Sequence, residues 1–92
     1  MTRPEILDKA KACVVGDREQ DYGSPESNFG RIANLWTSFL NITITPVEVA
    51  AMLALLKIAR IASGHAKEDN WIDLAGYAAC GGELEAMGVK ES

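Results

Sequence analysis

The sequence predicts an all-α domain, a bundle of about four helices, on three observations. Apolar residues recur at three- and four-residue intervals along four segments. Three of these segments open on Ser or Thr with a proline in the first turn. The β-branched stretch from Asn41 to Ile44 has nothing nearby to pair with as a strand, so it reads as a loop. No fixed-period repeat, low-complexity tract or charge block divides the chain, and residues 1–92 read as a single domain.

Thr2 and Glu5 have capping-box spacing, Pro4 fits a first turn, and Ile6, Leu7, Ala10, Cys13 and Val14 follow at helical spacing until Gly16. The polar stretch from Asp17 to Gly23 is a connecting or functional loop. Ser24 and Pro25 then start a second helix whose apolar stripe is Phe29, Ile32, Ala33, Trp36 and Leu40. Thr45, Pro46 and Glu48 repeat the capping pattern before a third helix, Val47 to Ala62, which is apolar on nearly every side and therefore expected to be the buried centre. Gly64 ends it. Asp69 or Asn70 is expected to cap a fourth helix carrying Trp71, Ile72, Leu74, Ala75, Ala78 and Leu84, with Gly81 and Gly82 weakening its interior.

Composition narrows the function classes. A net charge of −4 argues against a phosphate-neutralising surface for DNA or RNA, so any anion site must be local. An apolar fraction of 48% in 92 residues is high for so short a chain and points to closure against identical subunits, a homo-oligomer. No apolar run reaches the roughly 18 residues of a membrane span, and no charged segment with an apolar run opens the chain, so a cytoplasmic protein without a membrane partner is expected. Cys13 and Cys80 lack metal-ligand neighbours and read as reduced core thiols.

The candidate functional residues are those that a merely structural helix does not require. Lys57 and Arg60 are the cations of the third helix and share one face of it, where they call for an anion; the alternative is that they reach solvent or pair with carboxylates of the fourth helix. Asp69, Asp73 and Tyr77 follow at four-residue intervals and form a polar stripe in the fourth helix. Asp73 is placed to accept a charge-assisted hydrogen bond from Arg60 or Lys57. Before the second helix, Tyr22 offers a face for a stacked base; Arg18 and Arg31 offer phosphate contacts, and Asn28 an amide. A polar loop and a solvated helix end are the alternative for this group. His65 stands alone and reads as surface; the serines and cysteines have no neighbouring base, and no Gly-rich phosphate loop occurs, so covalent catalysis is unsupported.

The string Arg18 to Phe29, then Lys57-Ile58-Ala59-Arg60, then Asp69 to Tyr77, resembles an uncharacterised family of small phage and prophage proteins over most of the chain. More distantly, the helical order and the Asp-rich start of the last helix resemble all-α nucleotide pyrophosphohydrolases of the MazG type. That resemblance implies acidic pairs on successive helices that hold magnesium against the substrate's phosphates. Here Glu48 is followed three residues later by Ala51, and Glu68, Asp69 and Asp73 are the carboxylates that remain for a metal.

The leading expectation is a nucleotide-binding protein that uses no cofactor, takes phosphate directly on Lys57 and Arg60, and sequesters a cyclic or signalling nucleotide of host immunity without cleaving it. In that reading the ligand residues are Arg18, Tyr22, Asn28, Arg31, Lys57, Arg60, Asp69, Asp73 and Tyr77, and a pocket at a subunit boundary is expected. The first alternative is a magnesium-dependent pyrophosphohydrolase using Glu68, Asp69 and Asp73. The second is a protein-interaction module in which the Trp36 and Trp71 faces build the oligomer.

Overall fold

The computed structural model describes residues 1–17, 20, 23–64 and 67–88. Helix α1, Arg3–Lys11, runs on into a π-helical turn, Ala12–Asp17; α2 is Pro25–Leu40, α3 Pro46–Ala62 and α4 Glu68–Ala86. Among the described residues there is no strand, and no helix is long and apolar enough to cross a membrane.

Local chemistry explains the helix starts. The Thr2 hydroxyl oxygen accepts from the Glu5 amide at 3.3 Å while the Glu5 carboxylate accepts from the Thr2 amide at 2.9 Å. The bond from the Thr2 backbone amide, aided by the Thr2 hydroxyl, holds the Glu5 carboxyl below its usual value. Thr45 and Glu48 repeat the box at 3.2 and 2.9 Å, and Ser24 caps α2 through the Ser27 amide. At α4 the expectation fails. The N-cap is Lys67, with no side-chain cap, because the helix begins at Glu68 and takes Asp69 and Asn70 into its first turn.

The loop between α2 and α3 is pinned rather than free. Asn41 ends α2 in the left-handed region, φ 59°, and the Thr37 hydroxyl both accepts from the Ile44 amide at 2.8 Å and donates to the Ile44 carbonyl at 3.3 Å. Ile44 is thereby fixed in the core. Gly64, φ +86°, turns the chain after α3 in a conformation that a Cβ would strain.

The helices contact one another in the spatial order α1, α4, α3, α2, with α2 touching α4 only slightly. Phe29, Ala33, Ile44, Val49, Ala50, Cys80 and Leu84 form the core at the middle of this row. Close approach of α3 and α4 requires Gly81, where a Cβ would stand 3.1 Å from the Ala50 Cβ; a Cβ at Gly82 would meet open space. Of the two cysteines only Cys80 is buried. Cys13 is exposed, because α1 and its π turn meet α4 along a narrow strip and Val14 is the residue there that packs against the core.

Within one chain α3 is not the buried centre that its composition predicts. Only Pro46, Val49 and Ala50 are buried, on the side that meets α2 and α4, while Met52, Leu55, Leu56 and Ile58 are exposed. A row of helices covers α3 on two flanks and leaves the rest of its surface bare.

The glycines give a direct test of this packing. Gly82→Ala is expected to stabilise by about 1 kcal/mol through helix propensity. Gly81→Ala should lose that gain to overpacking against Ala50, which costs about 1–3 kcal/mol. Urea unfolding midpoints of the two variants should therefore move in opposite directions.

Candidate functional site

A short turn joins α3 to α4 and makes them antiparallel neighbours. Lys57 precedes the end of α3 at Ala62 by as many residues as Asp73 follows the start of α4 at Glu68, so the two meet across the helix pair. Lys57 Nζ lies 2.9 Å from Asp73 Oδ2, with the lysine side chain 14% and the aspartate side chain 35% exposed. The lysine stem is thus covered by protein. Its head is anchored by a charge-assisted hydrogen bond in a setting more sheltered than an ordinary surface pair.

Beside this pair, at the turn end of the two helices, lies an open cavity of about 460 Å³ lined by Lys57, Arg60, Ser63, Lys67, Asp69, Asn70 and Asp73. Three cations and two carboxylates give it a formal charge of +1 in a chain of net charge −4. Lys57 and Asp73 offset each other. Arg60 and Lys67 form no ion pair among the described residues. The Ser63 hydroxyl donates to the Arg60 carbonyl at 2.9 Å, which ties the end of α3 to the cavity wall. The first turn of α4 adds backbone dipoles of favourable sign for an anion, at a helix start that no side chain caps.

Of the residues singled out from sequence, the structure brings together Lys57, Arg60, Asp69 and Asp73. Tyr77 falls one turn beyond. Its ring packs tilted against Phe29, centroids 6.4 Å apart, and it borders a gap of only about 10 Å³, room for at most one water. Asn28 is half-buried and Arg31 exposed on α2, and neither lines the cavity. Glu68 does not line it either; its carboxylate lies 3.6 Å from the amino group of Met1. Arg18, Tyr22 and His65 lie outside the described residues.

The carboxylates proposed for a metal therefore do not converge. Among the described residues no three His, Cys, Asp or Glu side chains are grouped so as to hold one ion. Any ion reaching Asp73 would have to compete with Lys57 for the carboxylate.

Sequence reasoning missed Lys67, Ser63 and Asn70. Lys67 was legible only as part of a polar turn, and its role as the N-cap of α4 is what carries it to the cavity. Asn70 is 6% exposed, and its backbone N–H donates to the Lys67 carbonyl at 3.0 Å. Its place in an apolar helix was the available signal.

The Lys57–Asp73 pair can be weighed by a double-mutant cycle. Lys57→Met should destabilise by about 1–2 kcal/mol, since it leaves a partly buried carboxylate without its partner. Adding Asp73→Leu should restore most of the loss, giving a coupling of about 1 kcal/mol in urea unfolding.

Comparison with known proteins places the chain. The family model described as a domain of unknown function, DUF6378, matches residues 5–85. The Gene 55 protein of Mycobacterium phage L5 is 42% identical over 87 residues, covering 94% of this chain and 54% of that protein. The Gene 55 protein of Mycobacterium phage D29 is 39% identical over 75 residues, covering 82% of this chain and 50% of that protein. The chain thus spans about half the length of these curated relatives. No solved structure matches it. With the family model spanning nearly all of the helical domain and phage proteins as its relatives, this chain belongs to the DUF6378 family.

Proposed function

We propose that this chain is a phage nucleotide-binding protein, acting as a homo-oligomer in the host cytoplasm, that holds a cyclic or signalling nucleotide uncleaved and so withdraws it from host immunity. One observation carries the reading. An acidic chain gathers Lys57, Arg60 and Lys67 around one cavity, at the uncapped start of a helix.

The chemistry is direct phosphate recognition. Arg60 supplies a planar fork for two phosphate oxygens, and Lys67 a mobile point charge from the opposite side of the turn. Lys57, held by Asp73, presents its remaining ammonium protons at the cavity wall. Asp69 offers an acceptor for sugar or base edges. The volume falls in the range of roughly 300–1,000 Å³ common for small-molecule sites. The phage relatives support the setting and not the ligand.

Cleavage is the competing reading, because Asp69 and Asp73 share the cavity and magnesium binds carboxylates. It would require further acidic ligands beside these two and the release of Asp73 from Lys57.

Thermal unfolding against mono-, di-, tri- and cyclic nucleotides, with and without magnesium, followed by recovery of the nucleotide, separates these outcomes. At a ligand concentration 100 times Kd, a binding nucleotide adds about 2.7 kcal/mol to stability. It should be recovered intact, and the stabilisation should not need magnesium. Arg60→Gln and Lys67→Gln, both at exposed positions, should each weaken binding about tenfold without lowering the unliganded midpoint. A nucleotide recovered cleaved only with magnesium would replace sequestration by hydrolysis, and no shift with any nucleotide would sink both readings.

A further inference from the structure

The exposed face of α3 makes the homo-oligomer part of this reading specific. We infer that the chain forms a two-fold dimer in which α3 packs antiparallel on α3 of a second copy, around Leu55. The inference rests on that homo-oligomer reading and is independent of what the cavity binds.

The exposed residues of α3 from Ala51 to Ala62 are apolar except Arg60. Met52, Leu55, Leu56, Ile58 and Ala59 are exposed and succeed one another at helical spacing, and Leu55, near the middle, is 62% exposed. A helix apolar all round belongs in the centre of a bundle, yet α4 and α2 cover only its other flanks. The missing neighbour must therefore be apolar as well.

Surface area indicates how much is missing. A folded monomer of 9.9 kDa is expected to expose about 5,200 Å². This chain exposes 6133 Å², an excess of about 900 Å² to which the bare α3 face and the exposed apolar side chains of α2 both contribute. Each partner of a standard interface contributes roughly 800 Å². The Cα radius of gyration, 13.4 Å, likewise exceeds the roughly 12 Å of a compact chain of this length.

A second copy is the occupant that suits this face. A two-fold axis brings one apolar strip against the same strip, so complementarity needs no different partner. The charges also agree, because α3 carries Glu48 in its first turn and Arg60 in its last. Antiparallel pairing sets the acidic end of one helix beside the basic end of the other and opposes the two helix dipoles. Like charges are kept apart along the strip.

The test is the mass of the 92-residue chain in solution, by light scattering across a dilution series. The native chain should run at twice 9.9 kDa, Leu55→Glu at the single mass with its helical circular dichroism retained, and Leu7→Glu, equally exposed on α1, at the double mass. Leu55→Cys in a Cys13→Ser background should form a 55–55 disulfide on oxidation, since the residue lies near the axis. A native chain at single mass throughout, including one that instead floats with lipid vesicles, would overturn the homo-oligomer and this face together. A dimer that survives Leu55→Glu would overturn the face alone. Should Leu55→Glu lose its helical signal, absence of the 55–55 disulfide overturns the face.

Discussion

Every other part of the molecule is arranged around the contact between α3 and α4. It forms where Gly81 presents no side chain and the Ala50 methyl comes within 3.1 Å of the position a Cβ would occupy. This close approach brings Val49 and Leu84 to full burial and sets the rotation of α4 about its axis. That rotation in turn decides which α4 side chains look toward Lys57. Two glycines in succession weaken a helix, and one of them is required here for packing.

The polar site follows from the same contact and from the short turn that joins the helices. Once α3 and α4 are antiparallel and close, Lys57 and Asp73 face each other at equal distance from the turn, and the turn end widens into the cavity. Satisfying Lys57 with Asp73 lets a cation sit in a largely apolar helix without an uncompensated charge. Arg60 and Lys67 then stand at the rim as the cations among the lining residues without an ion pair in the described structure. The positive charge is local, as it must be in a chain of net charge −4.

The row-like order of the helices explains why a chain so rich in apolar residues leaves many of them outside. Four helices in a closed ring would enclose a common core, whereas here α1 and α2 lie at opposite ends of the row. The core is accordingly small, with Phe29, Leu84, Val49 and Pro46 its largest fully enclosed side chains. The surplus apolar surface concentrates on α3 and on the outer side of α2, where Leu35 and Phe39 are 63% and 87% exposed. Apolar patches of this kind are uncommon on a small chain.

The sequence by itself determined what short-range hydrogen bonding controls. Thr2 with Glu5, Ser24 with Ser27 and Thr45 with Glu48 each close a bond within three residues, so three helix starts and the all-α class were legible before any tertiary contact. That Asp73 would face Lys57 or Arg60 was legible too, because it needs only two helices and a short turn, whereas the packing chose Lys57. Tertiary structure alone decided the rest. Tyr77 shares the four-residue stripe of Asp69 and Asp73, yet it packs on Phe29 because a helical stripe drifts around the axis and α2 covers its later turn. Glu68 meets Met1 rather than the acidic pair, and Lys67, read only as turn, becomes part of the cavity. The bare face of α3 has the same origin. Composition says that a helix must be buried on all sides, but only the packing of the other helices determines which side remains uncovered.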